Sequence, residues 1–358
     1  MTLLDRKKTN KSLEQCLIVL VSFICALLIG SVLLLLEKEN PIEIYRTLFI
    51  QPLTSTSGII KVLAKTTPLI LAGLAVSLSF KCNVFNIGVE GQLYAGGMAA
   101  AVLGYYMPGL PSWLHILVCI VGAAAVGAFF AWIPAVLKVK LNVHEVISTI
   151  MLNYVISSLI SWIVVSYFRY DGPTARTPNV AESARLFQFK SPELLNAGIL
   201  IALVLCVVLQ FVFKRTPLGW RIDSAGKNLT AARYAGIDSN RLILLTMCLS
   251  GAVAAMVGVE RVLGAYGYME LNFSPGYGWD GITIAIIAAN QPFGVLLMSL
   301  LLGLMSYGGT LINVTSGVPI EWIEVLNALI FIFVVMGKAI LALRREKGNC
   351  GKRSMKKV

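Results

Sequence analysis

The sequence has few charged residues and few histidines, and their scarcity excludes most catalytic chemistry. Only 13% of its 358 residues are charged, against roughly 25% in an ordinary soluble domain. The two histidines, His115 and His144, belong to no His-Glu-x-x-His pair, and Gly-x-Ser-x-Gly and Gly-x-x-x-x-Gly-Lys-Ser/Thr are absent. We therefore predict no catalytic residue, no metal site and no nucleotide site on this chain, which is not expected to be an enzyme.

The cysteines also form no recognisable functional pattern. Seven are present, none in a Cys-x-x-Cys pair, and most fall inside apolar stretches, where cysteine serves as a small packing residue. We predict no structural disulfide.

Long apolar stretches are what the sequence has in abundance. The mean hydropathy is +0.78, and a helix needs about 20 mostly apolar residues to cross the hydrocarbon core of a bilayer. The sequence predicts an all-α, polytopic transmembrane bundle of about ten spans. The clearest stretches are 16–36, 114–137, 194–213, 242–263 and 323–343, and interrupted ones are 62–80, 87–107, 143–168, 281–290 and 293–312.

The placement of positive charge gives an orientation. With the N-terminus inside, 21 of the 30 Lys and Arg residues fall in cytoplasmic segments, as the positive-inside rule requires. Both termini are then cytoplasmic. We expect a basic N-terminus (1–15), a transmembrane domain (16–343) with a cytoplasmic loop at 214–241, and a basic tail (344–358) near anionic lipid. The net charge of +12 needs no nucleic acid to explain it.

A polar element at 82–92 interrupts two apolar runs on the predicted cytoplasmic side. It is either a short surface loop or a broken helix beside a translocation path, since irregular polar backbone at membrane depth must be buried in protein or line a cavity. Asn153 either faces that path or bonds neighbouring helices. Trp279 and Asp280 are placed at an external mouth, where Asp280 either meets the solute or the binding protein or is an acid at the start of a helix. The candidate path residues are Asn86, Glu90, Gln92, Asn153, Trp279 and Asp280.

Glu260 and Arg261 close a predicted span at its external end. A local ion pair at the membrane interface is favoured there over a solute contact.

The loop at 214–241 contains the signals of a helical hairpin. Asn228 is placed to cap a short helix that runs through Tyr234, and Gly236 is placed to end it in the left-handed conformation. Two short helices joined at Gly226 would present Ala231 and Ala232 on a surface. The loop is either a partner-binding hairpin or a plain amphipathic connection.

The loop and the polar element both resemble segments of a known protein family. The loop resembles the coupling loop of ABC importer permeases of the branched-chain amino acid and ribose type, through Gly219, Arg221, Gly226, Asn228, Ala231, Ala232, Gly236 and Ile237. The segment 85–92 is similar to the signature of the simple-sugar and nucleoside branch, as are Gly278, Gly281 and Ile282, and Asn290, Pro292 and Gly294. The resemblance covers roughly residues 60–340. Residues 222–224 depart from related loops, which more often have small or apolar residues there.

The resemblance implies a permease subunit that imports nucleosides or related sugar-containing solutes across a bacterial cytoplasmic membrane. The loop at 217–237 would dock into a separate ATPase, which would bind ATP and Mg, while this chain would hold no cofactor. A second permease chain, a related one or a copy of this one, and an external solute-binding protein are also implied. From the residues alone, a secondary transporter or channel that binds no ATPase is the alternative.

Overall fold

The computed structural model describes residues 21–36, 38–168, 175–190, 194–319 and 321–354. The predicted basic segment 1–15 and the last residues of the tail, 355–358, lie outside this range. The chain divides into two compact units, one of Met1–Thr54 with Met305–Val358 and one of Ser55–Leu304.

Helices account for nearly all the regular structure of the described residues. In chain order they are α1 (Val21–Leu36), α2 (Pro41–Phe49), α3 (Thr56–Lys81), α4 (Val89–Tyr106), α5 (Ser112–Leu141), α6 (Glu145–Tyr167), α7 (Gly198–Arg215), α8 (Pro217–Lys227), α9 (Leu229–Tyr234), α10 (Ser239–Val259), α11 (Tyr277–Ile287), α12 (Pro292–Ser316) and α13 (Glu321–Ser354). A π-helix (Glu260–Tyr266) continues α10, and β1 (Gln188–Lys190) pairs antiparallel with β2 (Leu195–Asn196) before α7.

Six helices among the described residues are long and apolar enough to cross a membrane: α3, α5, α6, α7, α10 with its π-helical extension, and α12. Two shorter apolar helices are Val21–Leu36 and Glu324–Gly337. The span predicted at 281–290 corresponds to α11, which has 11 residues and is only about 16 Å long. A span must cross about 30 Å of hydrocarbon, so α11 alone is too short.

The core of the Ser55–Leu304 unit is formed by α3, α4 and α10. Close backbone packing is made possible by the small residues that the sequence places at helix-packing spacing. Gly96 of α4 packs on Ala255 of α10, and a β-carbon on Gly258 would overlap the backbone of α4 at Leu93. These small residues let the backbones of two central helices come into direct contact.

The other unit contains its own apolar contacts. Gly30 of α1 lies against Leu326 of α13 and the hydroxyl of Tyr45 in α2. The Tyr45 hydroxyl donates to the Leu27 carbonyl oxygen at 2.7 Å, which ties α2 to α1. Leu48 of α2 is fully buried against Gly308 of α12.

Candidate functional site

The loop at 217–237 folds as the helical hairpin that the sequence predicts. The Thr216 hydroxyl caps α8 by accepting from the Gly219 N–H (3.2 Å), and the Asn228 side chain caps α9 by accepting from the Ala231 N–H (2.9 Å). Gly236 has a φ of 81°, the left-handed conformation that ends a helix. The two helices join at Asn228 rather than at Gly226, which lies inside α8.

The inner face of this hairpin packs on the ends of two long helices. Gly219 lies against the α7 backbone at Val212 and Phe213, and Gly226 lies against the carbonyl oxygen of Lys81, the last residue of α3. The side chains of Ile222 and Ala225, also on this face, are almost completely buried. Gly219 and Gly226 therefore allow the hairpin to pack closely on the bundle.

The outer face of the hairpin is exposed and aromatic. Trp220 is 61% exposed and Tyr234 is 91% exposed. Ala231 is exposed, as predicted, whereas Ala232 is buried on the inner face. A cavity of about 480 Å³ opens beside the hairpin, lined by Leu218, Trp220, Arg221, Gly236, Arg241 and Leu245 among others. Its lining combines aromatic, apolar and charged side chains, among them Asp238.

In the polar element at 82–92, two candidate path residues form a closed hydrogen-bond network. Asn86 and Gln92 are fully buried. The Asn86 amide donates to Gln92 Oε1 (2.9 Å) and to Ser250 Oγ of α10 (2.8 Å), and Gln92 donates back to Asn86 Oδ1 (3.1 Å). Asn86 Oδ1 also accepts from the Gly88 N–H (3.0 Å). The two side chains join α4, α10 and the preceding loop.

Asn153 of α6 also makes contacts between helices. Its amide donates to the Ile87 carbonyl oxygen at 2.9 Å, and its side-chain oxygen accepts from the Gly91 N–H at 2.9 Å. Asn153 therefore bonds neighbouring elements, which is one of the two roles considered for it above.

Glu90 and the start of α11 come together. Glu90 Oε2 accepts a hydrogen bond from the Gly278 N–H at 2.6 Å. The charge pattern placed Glu90 and Trp279 on opposite sides of the membrane, and this contact shows instead that the two segments lie side by side. Trp279, the next residue, is 49% exposed, and Asp280 is partly exposed.

Glu260 and Arg261 form the predicted local pair, and both side chains are buried within the protein. Glu260 is 1% exposed and Arg261 is 3% exposed. Arg261 donates to both carboxylate oxygens of Glu260 (2.5 and 2.7 Å) and to the Ala64 carbonyl oxygen (3.2 Å), while Asn196 donates to Glu260 Oε1 (2.8 Å). Buried charges are retained where such hydrogen bonds satisfy them.

The π-helix and its partner Asn196 are features that sequence reasoning missed. Asn196 belongs to the β1–β2 hairpin, and Gln188 of that hairpin donates to the Gly264 carbonyl oxygen at 2.8 Å. A π-helix changes the carbonyl pairing over only a few residues, which leaves hydropathy and periodicity unaltered. Only the adjacent Glu260 and Arg261 signalled that this helix end was unusual.

Comparison with known proteins shows to which family the chain belongs. A family model described as "Branched-chain amino acid transport system / permease component" matches residues 58–335. The chain belongs to this family. It is the permease subunit of an ABC importer, a multi-pass membrane protein with a transport role, and it works with an ATPase and a substrate-binding protein. The alternative of a secondary transporter or channel is set aside.

Three relatives show what this permease is similar to. The guanosine ABC transporter permease protein NupP of Bacillus subtilis is 33% identical over 92% of this chain and 96% of its own length. The glucose ABC transporter permease protein TsgB13 of Haloferax volcanii is 33% identical over 88% and 86%. The nucleoside ABC transporter permease protein NupB of Lactococcus lactis is 32% identical over 96% and 97%.

Proposed function

We propose that this permease imports nucleosides or related sugar-containing solutes. Two of the three relatives above are named for guanosine or nucleosides and one for glucose. These solutes share ring hydroxyl groups and need no buried counter-charge for binding. The similarity along nearly the whole chain carries this proposal, with nucleosides as the first choice.

The coupling hairpin, α8 with α9, is the proposed docking site for the ATPase. Its outer face exposes Trp220 and Tyr234, and such aromatic side chains are enriched among the residues that contribute most to binding at protein interfaces. Its inner face rests on α3 and α7 through Gly226 and Gly219. Closure of the ATPase, which would bind ATP and Mg, would therefore press directly on the ends of two long helices.

The outer face of α11 is the proposed wall of the translocation path. Gly281 packs on the backbone of Ala72, in the interior of α3, so that α11 begins at membrane depth. The backbone from 267 to 276 that leads into it is irregular, and such backbone is tolerated in a membrane only within protein or beside a water-filled cavity. Trp279 and Asp280, in the first turn, are the proposed solute-facing residues.

A second permease chain would cover the outer face of α11 and the segment that leads into it. The irregular backbone from 267 to 276 cannot face lipid for the reason just given, and this supports pairing with another permease, which we propose to be a related chain rather than a copy. The clusters of Lys and Arg in segments 1–15 and 344–358 support cytoplasmic termini. We propose the bacterial cytoplasmic membrane as the location.

The substrate is tested by uptake. Cells or proteoliposomes that contain the permease with its ATPase, solute-binding protein and second permease should accumulate radiolabelled guanosine. Unlabelled nucleosides should compete better than glucose. The nucleoside proposal is refuted if glucose competes equally well or if the solute-binding protein retains no nucleoside.

The coupling assignment is tested by changing Ala232 to Glu. Ala232 is buried on the inner face of α9, and a charged side chain there should displace the hairpin and abolish uptake. The same change at the neighbouring exposed Ala231 should act through the docking surface instead and reduce the amount of ATPase that co-purifies. Normal uptake and normal ATPase retention in both variants would exclude the hairpin as the coupling element.

A further inference from the structure

Two motif segments that lie far apart in the sequence meet at the first turn of α11. Gly278 is 188 residues from Glu90, and its N–H donates to the Glu90 carboxylate at 2.6 Å. A β-carbon at position 278 would lie 2.6 Å from the backbone nitrogen of Glu90, closer than a side chain tolerates. The contact therefore requires a hydrogen-bond acceptor at position 90 and glycine at position 278.

The chemistry of this contact favours a holding role for Glu90. The first N–H groups of a helix have no partner within the helix, and a carboxylate beside them is stabilised by the helix dipole. Glu90 supplies such an acceptor from a different helix, α4. A side chain that served only as polar lining would not need to bond the backbone of α11.

A second residue of α4 contacts the segment that leads into α11. Tyr94 follows Glu90 by one helical turn, and its hydroxyl accepts from the Ser274 N–H at 3.2 Å. The centroid of its ring lies 4.7 Å from the centroid of the Phe273 ring. The Ser274 hydroxyl in turn accepts from the N–H groups of Gly276 and Tyr277, both at 3.1 Å. Glu90 and Tyr94 thus hold the irregular segment and the first turn of α11 from one face of α4.

We propose that Glu90 is a positioning residue of the translocation path. Its carboxylate holds the first turn of α11, and thereby fixes Trp279 where that side chain contacts the passing solute. The proposal rests on the proposed function in one respect, that the outer face of α11 lines the path. It differs from the sequence-based expectation, in which Glu90 itself lined the path.

The test follows the fluorescence of Trp279 in the assembled transporter. The emission of Trp279 is taken as the difference between the assembled transporter and the same assembly with Trp279→Phe, and it is recorded with and without guanosine. Glu90→Ala should shift the emission maximum and reduce uptake about tenfold, as expected for loss of one charge-assisted hydrogen bond. Glu90→Gln should keep both near the parent values, since its amide oxygen still accepts from Gly278.

Matched variants separate positioning from general damage. Glu145→Gln alters another carboxylate that accepts a backbone N–H, that of Phe85, at the other end of the polar element, and should leave Trp279 emission unchanged. Tyr94→Phe removes the second contact and should shift the emission as Glu90→Ala does. This variant keeps the test available if Glu90→Ala does not fold.

Two outcomes overturn the proposal. One is unchanged Trp279 emission in both Glu90→Ala and Tyr94→Phe. The other is an uptake loss in Glu90→Gln as large as in Glu90→Ala with emission unchanged, which would make Glu90 a direct solute contact. Failure of the proposed function has a separate signature: the parent complex takes up no nucleoside or sugar, or Trp279→Ala leaves uptake intact.

Discussion

Gly226 of α8 lies directly on the backbone of Lys81 at the end of α3, where a β-carbon at position 226 would overlap the Lys81 carbonyl oxygen. Lys81 also lies 4.0 Å from Asp223 of α8. The hairpin and α3 are in contact without an intervening side chain, so that a displacement of one must move the other. Lys81 is followed immediately by the polar element that leads to Glu90.

Replacing Gly226 with Ala should uncouple the hairpin from α3. The added methyl group has no space, since the overlapping atom belongs to rigid backbone, and α8 must shift away. We expect uptake to fall at least about tenfold, because a misplacement of about 1 Å can cost more than this in positioned systems. Uptake assays would measure it. Ser112→Ala, an exposed change at the start of α5, is the control, and Gly226→Ala with normal uptake would contradict the coupling role of this contact.

Replacing Tyr234 with Ala should weaken ATPase docking while leaving the permease folded. Tyr234 is 91% exposed, so its removal costs no internal packing, whereas an aromatic anchor at an interface is typically worth about 2 kcal/mol or more. The amount of ATPase that co-purifies with the solubilised permease measures this. Trp162 of α6 is also exposed, at 55%, and Trp162→Ala should not change ATPase retention. Equal retention in all three proteins would exclude Tyr234 from the interface.

Replacing Asn86 with Ala should destabilise the bundle. Gln92 and the Gly88 N–H would lose their buried partner, and each unsatisfied group costs about 1–3 kcal/mol. Thermal unfolding in detergent should show a clear loss. Asn240→Ala, an exposed change of the same type in α10, should cost less than about 0.5 kcal/mol.

A double-mutant cycle gives a second test of this network. If Asn86 and Gln92 satisfy each other's hydrogen-bonding groups, the double change Asn86→Ala with Gln92→Leu should cost less stability than the sum of the two single changes. Additive costs would mean that the two side chains act independently.

Replacing Arg261 with Met should be among the most damaging single changes. It would leave Glu260 as a buried carboxylate without its cation, which costs about 3–5 kcal/mol. Replacing both Glu260 and Arg261 with Met should restore much of the lost stability, again measured by thermal unfolding. The exposed pair of Arg241 with Asp238 (3.0 Å) is the control, and Arg241→Met should cost about 1 kcal/mol or less. Equal effects at the two sites would contradict the buried-pair argument.

The parts of the fold that depend on local chemistry could be predicted from the sequence. A lipid-spanning helix must be apolar along its whole length, and the stretches predicted at 114–137 and 242–263 accordingly lie within α5 and within α10 with its π-helix. The hairpin was predictable because capping acts within three or four residues, as the bonds of Asn228 and the conformation of Gly236 show.

The parts that depend on which elements meet could not be predicted. The segment 281–290 was predicted to be a span from its apolar composition, which contains no information on where a helix ends. Positive φ angles at Gly276 (106°) and Asn290 (55°) bound α11 on either side. The burial of Ala232 follows from the surface on which the hairpin rests, and the pairing of Glu90 with Gly278 joins residues from distant parts of the chain.

The ion pair of Glu260 and Arg261 bears on how the transport cycle responds to membrane voltage. A potential does work only on net charge that moves through its field, about 2.3 kcal/mol per elementary charge for 100 mV. The two residues are adjacent in the chain and bonded to each other, so they travel together as a neutral unit when α10 moves. Deeply buried though they are, these two charges give the cycle no voltage dependence of their own.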